Sequence, residues 1–317
     1  MEPIIAPIPV ELIEQELTSE HLLRHTNKAG NDIYVINAHN SPNTMREIGR
    51  LREVSFRAAG GGTGKSCDID EFDTMTPPCQ QLLVWNTEKH EIIGAYRFIC
   101  GWDIKVENGV PRIATGHMFK FSDRFLSDIL PVTIELGRSF VRPEYQSTRE
   151  GVKALFALDN LWDGLGALTV VYPQVKYMFG KMTMYPSYNR ECRDMLLCFL
   201  NLYFSDKERL VMPIDPLPDT RNDDPELTGQ FVGNDFREDY KRLNAFIRNH
   251  GINIPPLVNA YMGLSPKMQM LGTAINREFG NVEETGILIN LDEITDEKKR
   301  RHIDSYLSNL EQDLNNQ

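Results

Sequence analysis

Residues 133–155 read TIELGRSFVRPEYQSTREGVKAL, and this stretch decides the fold. It begins as a β-strand pattern whose apolar positions are Ile134, Leu136, Phe140 and Val141. Glu135 and Arg138 interrupt this apolar run, and an ionised group in a half-buried strand is costly unless it has a partner. Pro143 ends the strand because proline cannot donate a ladder hydrogen bond. The polar loop with Gly151 and the apolar helix pattern after it predict a strand–loop–helix unit that presents backbone N–H groups to an anion.

The composition indicates a globular protein of a reducing compartment. Of the 317 residues, 41% are hydrophobic and 25% are charged, which suffices for a sizeable core. The cysteines are odd in number and have no metal-ligand spacing: Cys67, Cys79, Cys100, Cys192 and Cys198. The sequence contains no export signal pattern and no apolar run of about 20 residues. We therefore expect a cytoplasmic protein with free thiols, no metal site and no membrane span.

The charge is unevenly distributed along the chain. A formal net charge of −11 argues against a nucleic-acid-binding protein. Between Arg138 and Arg193, however, eight basic residues stand against five acidic ones. This segment fits an acidic partner or a phosphate, and the alternative is an ordinary solvated surface of mixed charge.

Residues 41–56 have a helix pattern that carries an unusual arginine. Ser41 is the expected N-cap, Pro42 suits the first helical position, and the apolar positions have helical spacing. Arg52 and Phe56 continue the row of Ile48 at four-residue intervals, so both point with the apolar face. The Arg52 guanidinium either extends to water or pairs across the core.

The glycine-rich stretch 59–66, AGGGTGKS, matches a phosphate-binding loop in its letters only. A true P-loop leaves a buried strand and opens a helix, whereas this stretch leaves a helix and enters an acidic segment. We interpret it as a mobile loop that admits a substrate.

The acidic segment and the hairpin after it add further ionised groups to apolar surroundings. Asp70 and Asp73 form a D-x-x-D pattern, for which turn and cap roles are the alternative interpretation. Two strand patterns at 81–85 and 91–99 follow, joined by a short turn. On the second strand Arg97 shares a face with apolar residues by the period of two. These residues predict a buried ionic network of Arg52, Arg97 and Glu135 with Asp70 or Asp73.

The motifs ELGR at 135–138 and VRPEY at 141–145 resemble the fourth strand and following loop of the GNAT superfamily. More narrowly, the chain resembles acyltransferases that use acyl carrier protein: the N-acyltransferases of ornithine-lipid and glycine-lipid synthesis, often labelled putative hemolysins. The acyl-homoserine-lactone synthases are related to these enzymes. The resemblance implies an α/β fold with a mixed, mostly antiparallel central sheet flanked by helices, splayed fourth and fifth strands, and a C-terminal extension.

The resemblance also implies residue roles. Glu135 corresponds to a catalytic base that deprotonates the acceptor amine, and Tyr188 to an acid that protonates the leaving thiolate. The implied acceptor-binding residues are Arg52, Phe56, Asp70, Asp73, Arg97 and Arg138.

The chain departs from the lipid acyltransferases in one respect. They commonly carry a histidine after the D-x-x-D pattern, whereas Gln81 is the counterpart here, so the resemblance implies no histidine in this site.

The implied donor-binding residues are Arg142, Arg149, Gly151 and Lys153. This loop departs from the family's phosphate pattern, because Thr148 stands at its first position and Lys153 at its last. A weaker cradle suits the single phosphodiester of an acyl-phosphopantetheine arm on acyl carrier protein better than the pyrophosphate of coenzyme A. No permanently bound cofactor is expected.

These implications predict an enzyme that transfers a long acyl chain, including 3-hydroxy acyl chains, from acyl carrier protein to the α-amine of glycine or ornithine, as the first step of aminolipid synthesis. The alternatives are a homoserine-lactone-type or acyl-CoA-dependent enzyme, or a non-catalytic membrane-associated binding protein. We expect an N-terminal arm at 1–30, an acyltransferase core at 31–205 and a C-terminal extension at 206–317 packed on that core. Peripheral contact with the inner membrane is compatible with this interpretation. A β-bulge is predicted between Glu135 and Val141, at Gly137.

Overall fold

A computed structural model gives the fold and describes residues 1–146, 156–217 and 224–315. The strands are β1 (Leu22–His25), β2 (Asp32–Ile36), β3 (Gln80–Asn86), β4 (Glu91–Cys100), β5 (Val106–Glu107), β6 (Val110–Pro111), β7 (Phe119–Phe121), β8 (Thr133–Val141), β9 (Tyr177–Met184), β10 (Val211–Pro213), β11 (Gln269–Asn276) and β12 (Val282–Asn290). The α-helices are α1 (Val10–Glu16), α2 (Pro42–Ala59), α3 (Glu71–Thr74), α4 (Ala157–Val171), α5 (Arg190–Phe204), α6 (Pro225–Thr228), α7 (Phe236–Asn249), α8 (Pro256–Met262), α9 (Asp296–Lys299) and α10 (Ser305–Asn315). Short 3₁₀ or π turns lie at Gly101–Asp103, Phe125–Ile129, Leu130–Val132, Pro143–Tyr145, Arg277–Phe279, Leu291–Glu293 and Arg300–Asp304.

The chain forms two compact units, which are described separately. The first unit comprises Met1–Ile104, Val132–Val175 and Thr295–Gln317, and the second comprises Lys105–Pro131 and Lys176–Ile294. The segmentation into 1–30, 31–205 and 206–317 stays a prediction.

In the first unit, five antiparallel strands pair in the order β1-β2-β3-β4-β8. Helix α4 packs on one face of this sheet, where the Gly164 Cα lies so close that a Cβ would come within 2.8 Å of Leu82. Helix α2 lies on the other face, because its Arg52 reaches Gln81 of β3. The alternation of β-strand side chains therefore decides which residues of β3 and β4 meet α2. The hairpin predicted at 81–85 and 91–99 is confirmed as β3 and β4.

Helix α2 begins at Pro42 as predicted, but the prediction that the Ser41 side chain caps it is wrong. The Ser41 side chain makes no cap bond to the helix. Instead the Glu16 carboxylate, at the end of α1, accepts from the backbone N–H of Asn43 at 3.0 Å and of Thr44 at 2.7 Å. A carboxylate at this position satisfies unpaired helix N–H groups and complements the positive end of the helix dipole. The N-terminal segment thus contributes directly to the helix that carries Arg52.

In the second unit, β9, β12 and β11 form an antiparallel sheet. Strand β12 pairs with β9 from Glu283–Met184 to Asn290–Tyr177. Its other neighbour, β11, has no counterpart in the sequence interpretation. Two-stranded sheets of β5 with β6 and of β7 with β10 complete the strands of this unit in the described residues.

The fold class is confirmed: the protein is an α/β protein with a mostly antiparallel sheet flanked by helices. The splay of the fourth and fifth strands stays a prediction. Across the described ranges, every helix is too short or too polar to cross a bilayer.

Candidate active site

The predicted acceptor-site residues converge in the first unit, where α2 faces the sheet. Helix α2 contributes Arg52, strand β3 Gln81, strand β4 Arg97, strand β8 Glu135 and Arg138, and the segment around α3 contributes Asp68, Asp70 and Asp73. Together they bring four carboxylates and three guanidinium groups to one face of the sheet.

Asp73 is the centre of this cluster. Its carboxylate accepts from Arg52 Nη1 at 3.0 Å, from Arg52 Nη2 at 3.3 Å and from Gln81 Nε2 at 3.0 Å. Arg97 Nη1 lies 3.3 Å from the same carboxylate. Because the Arg52 and Asp73 side chains are both fully buried, this ion pair is shielded from water. The alternative in which Arg52 extends to water is therefore wrong, and the pairing alternative is confirmed.

Asp70 has two functions at once. Its side chain caps α3 by accepting from the N–H of Phe72 and of Asp73, while the Asp73 carboxylate accepts from the Asp70 N–H. The same Asp70 carboxylate accepts from Arg97 Nη1 at 2.7 and 2.8 Å. The cap interpretation and the ionic interpretation of the D-x-x-D pattern are both confirmed. The reciprocal cap fixes the two carboxylates at the separation at which Arg97 contacts both.

The ionic network changes the acidity of its members. Burial alone would raise the pKa of Asp73, but Arg52 and Arg97 hold it well below its usual range. Burial alone would lower the pKa of Arg97, but Asp73 and Asp70 raise it well above its usual value. These groups therefore stay ionised at neutral pH, and neither is suited to exchange a proton during turnover.

The predicted β-bulge is confirmed, but it centres on Arg138 and not on Gly137. Gly137 pairs with Arg97 and Phe140 pairs with Ala95, so three steps along β8 oppose two steps along β4. Within this interval Arg138 has φ +48°, a left-handed conformation that is uncommon for a residue with a Cβ. The Arg138 Nε lies 2.9 Å from Asp68 Oδ2, and its Nη2 lies 3.6 Å from Asp70 Oδ2. The bulge thus turns Arg138 toward the face that carries Arg97.

Glu135 lies on the same face of the sheet and is 2% exposed. It pairs with Ile99 in register, next to the Gly137–Arg97 pair. A Cβ on Gly137 would lie 3.9 Å from Glu135 Oε1 and 4.0 Å from Arg97 Nε, so glycine leaves room between these two side chains. The expectation that Arg97 and Glu135 share one side of the sheet is confirmed. The catalytic role of Glu135 stays a prediction.

Phe56 forms the apolar border of the site. Its ring packs edge-on against Phe140 of β8 with centroids 6.4 Å apart, and 7% of the residue is exposed. The row of Ile48, Arg52 and Phe56 is buried as predicted. Phe56 thus joins α2 to β8 beside the bulge.

The cluster opens to solvent at one edge. The side chain of Asp70 is 22% exposed and that of Arg138 is 13% exposed, whereas Arg52, Asp73 and Arg97 are at most 1% exposed. A molecule that arrives from solvent therefore meets Asp70 and Arg138 first, and the inner arginines act as their support.

The sequence interpretation missed one functional candidate, Asp68, and it did not place Cys79 beside the cluster. Asp68 belongs to the same acidic segment as Asp70 and Asp73, two residues ahead of the pattern, and its side chain is 1% exposed. Cys79 is buried beside the ionic network. Burial raises its pKa to about 12, and Glu135 adds to this rise while Arg97 opposes it. The Cys79 thiol is therefore protonated at neutral pH and is not a nucleophile.

The predicted donor-binding residues are only partly described. Arg149, Gly151 and Lys153 lie outside the described residues, as does Thr148. Arg142 lies in the first unit, where its Nη1 donates to Glu91 Oε2 at 2.5 Å and its Nε lies 3.3 Å from Glu144. Burial alone would lower the pKa of Arg142, but Glu91 and Glu144 raise it. The Arg142 guanidinium is therefore already paired with two carboxylates before any donor binds.

Tyr188, the predicted acid, lies in the second unit, just after β9. Its hydroxyl donates to the Asn253 carbonyl at 3.1 Å. Burial raises its pKa to about 12, so the hydroxyl is protonated at neutral pH. Its role in proton transfer stays a prediction.

Comparison with known proteins places these residues in an enzyme family. Residues 51–155, which include every named residue of the cluster, match the family model described as acetyltransferase (GNAT) domain. A glycine N(alpha)-acyltransferase of Bacteroides thetaiotaomicron is 62% identical over 308 residues, which cover 97% of this chain and 91% of that protein. A second, from Phocaeicola vulgatus, is 60% identical and covers 97% of this chain and 94% of that protein.

The chain belongs to the glycine N(alpha)-acyltransferase family. It is an N-acyltransferase of the GNAT class, and it acylates an amino acid. Among solved structures, FeeM, an N-acyl amino acid synthase from uncultured soil microbes, aligns at 10% identity and a TM-score of 0.39, covering 83% of this chain and 93% of that chain.

Proposed function

We propose that this protein transfers a long acyl chain from acyl carrier protein to the α-amine of glycine, as the first step of an aminolipid pathway. The observation that carries the proposal is the 62% identity to a glycine N(alpha)-acyltransferase across 97% of the chain. The aligned region covers almost the whole chain, so a related acceptor is expected.

The solvent-facing edge of the cluster supports an amino acid as acceptor. Arg138 offers a guanidinium that matches the geometry of a substrate carboxylate. Asp70 stands 3.6 Å from it and attracts the ammonium group. An amino acid bound across this pair brings its nitrogen toward the interior of the site.

Glu135 is the base in this proposal. The bound ammonium must lose a proton before its nitrogen attacks the thioester carbonyl, and a buried carboxylate on the same face accepts it directly or through water. Attack forms the C–N bond and a tetrahedral oxyanion, which backbone N–H groups near the bulge stabilise. Collapse of the intermediate breaks the C–S bond, and Tyr188 gives its proton to the leaving thiolate.

Acyl carrier protein is the proposed donor. Arg142, Arg149, Gly151 and Lys153 would hold the phosphodiester of its acyl-phosphopantetheine arm, and the basic segment 138–193 would meet its acidic surface. An acylated amino acid is an amphiphile that partitions into lipid. We therefore place the reaction in the cytoplasm at the inner membrane, where peripheral contact would release the product.

The test is a product assay with the purified protein. Palmitoyl and 3-hydroxypalmitoyl chains are supplied on acyl carrier protein or on coenzyme A, with glycine, serine, ornithine or homoserine as acceptor, and products are identified by mass spectrometry. We expect N-acylglycine as the main product, faster turnover with the carrier-protein donor, and slower transfer as salt rises. Equal turnover with acyl-CoA would contradict the donor, and faster acylation of ornithine than of glycine would contradict the acceptor.

A further inference from the structure

The ion pair between Asp68 and Arg138 has no role in the mechanism described above. Asp68 is a buried carboxylate outside the D-x-x-D pattern, and its Oδ2 lies 2.9 Å from Arg138 Nε. At this distance the carboxylate and the guanidinium form an ion pair, and the Asp68 side chain is only 1% exposed.

The backbone of Asp68 is fixed by hydrogen bonds at both its N–H and its carbonyl group. Its N–H donates to the Gly49 carbonyl of α2 at 3.0 Å, and its carbonyl accepts from Arg52 Nη1 at 3.1 Å. A Cβ at Gly49 would lie 2.6 Å from Cys67 Sγ and 3.2 Å from the Asp68 carbonyl oxygen. Helix α2 therefore packs directly on the segment that carries Asp68, and this carboxylate has little freedom to follow a moving partner.

Arg138, by contrast, needs an external constraint. Its left-handed backbone is unfavourable for a residue with a Cβ, and its side chain is one of the two exposed members of the cluster. A long arginine side chain at a solvent edge has many rotamers, and it orders only where contacts compensate the lost entropy. The fixed Asp68 carboxylate contacts Arg138 Nε and thereby holds the guanidinium plane in one position beside Asp70.

We propose that Asp68 is a positioning residue, which holds Arg138 in the orientation that recognises the carboxylate of the amino-acid acceptor. The inference rests on the proposed role of Arg138 in acceptor binding. Asp68 itself does not touch the acceptor, and it sets the selectivity for a free carboxylate through Arg138.

The first test compares the acceptor with its carboxamide. The acceptor is the amino acid that the wild-type protein acylates fastest, expected to be glycine, and the analogue is then glycinamide. For Asp68→Asn we expect the kcat/KM preference for the carboxylate over the carboxamide to fall roughly ten- to hundred-fold. The reason is that this preference depends mainly on charge-assisted hydrogen bonds from Arg138 to the acceptor carboxylate, which require a correctly oriented guanidinium. The KM for the acyl donor should stay at its wild-type value.

A merely structural role would give a different result. In that case Asp68→Asn would lower kcat/KM for the carboxylate and the carboxamide equally, and that outcome overturns the inference. The matched control is Asp159→Asn, which removes a carboxylate paired with Arg301 at 2.5 Å in the same unit, away from the cluster. It should keep the wild-type preference. Failure of the proposed function shows in the wild-type protein, whereas failure of this inference shows only in the variants.

The second test uses chemical rescue and does not depend on the stability of Asp68→Asn alone. Arg138→Gly suits the left-handed backbone and leaves a space the size of the guanidinium. Millimolar guanidinium should restore carboxylate-selective turnover to Arg138→Gly, because Asp68 still holds the ion in place. The double variant Arg138→Gly with Asp68→Asn should show no rescue. Equal rescue in both proteins would overturn the positioning role.

Discussion

Replacing Asp73 by asparagine tests whether the ionic cluster is held together at its centre. Asparagine has nearly the same shape, so packing is preserved while one charge is removed. The Asp73 carboxylate accepts from two Arg52 nitrogens, from Gln81 Nε2 and from the Asp70 N–H, and it lies 3.3 Å from Arg97 Nη1. An amide has a single acceptor oxygen, so several of these donors lose their partner. Breaking a buried ion pair in this way costs about 3–5 kcal/mol in the free energy of unfolding.

Urea denaturation followed by circular dichroism measures this cost. We expect the midpoint of Asp73→Asn to fall by an amount equivalent to about 3–5 kcal/mol at pH 7. The control is Glu14→Gln, which removes an exposed partner of His90 and should change the unfolding free energy by less than about 1 kcal/mol. A loss below about 1 kcal/mol in Asp73→Asn would refute the central role of Asp73.

The pH dependence supplies a second check on the same variant. Because the folded pKa of Asp73 is lowered, its contribution is fully present above the unfolded aspartate pKa of about 3.9 and is lost as the pH falls through the folded value. The difference in unfolding free energy between wild type and Asp73→Asn should therefore shrink below about pH 4. A difference that stays constant from pH 7 to the acid limit would contradict the assigned pKa direction.

The remaining predictions concern the base, the bulge and the donor. Glu135→Gln should lower kcat by roughly 10²- to 10⁴-fold with an unchanged KM for the donor, because it removes general-base catalysis; steady-state kinetics checks this, and undiminished turnover would exclude the role. Gly137→Ala should leave the unfolding free energy within about 1 kcal/mol of wild type, since its Cβ has space, whereas Gly94→Ala would place a Cβ 2.5 Å from the Phe140 carbonyl oxygen and should cost about 1–3 kcal/mol in urea denaturation. The reverse order of the two stabilities would contradict the register of β4 and β8. Arg142→Glu should raise the KM for acyl carrier protein and leave the KM for glycine unchanged; an unchanged donor KM at low salt would remove Arg142 from the donor site.

Residue pattern alone was sufficient for much of the site. The four-residue spacing in α2 puts Arg52 in the apolar row, although it left open whether the guanidinium reaches water or a partner in the core. The period of two in β4 puts Arg97 on an apolar face. Two buried arginines need acidic partners, and the D-x-x-D segment supplies them nearby in the sequence. These are consequences of local periodicity and of the cost of burying a charge, so they could be predicted without coordinates.

Tertiary structure alone decided where the distortion lies and what it does. In a regular strand Glu135 and Arg138 would point to opposite faces of the sheet. The sequence pattern does not show which residue takes the bulged conformation that brings them to one face. Steric ease favoured Gly137, whereas the structure has the left-handed residue at Arg138, whose side chain reaches Asp68.

The same limit applies to the helix cap and to the sheet of the second unit. Local sequence favoured Ser41 as the cap of α2, but Glu16 satisfies those N–H groups from 27 residues earlier in the chain. Strand β11 was not identified from the local pattern, and its place in the sheet is given by its pairing with β12. Local spacing thus determined which faces of the helices and strands are buried. Which distant carboxylate reaches which donor depended on how those elements pack, because such contacts join residues that no short-range pattern relates.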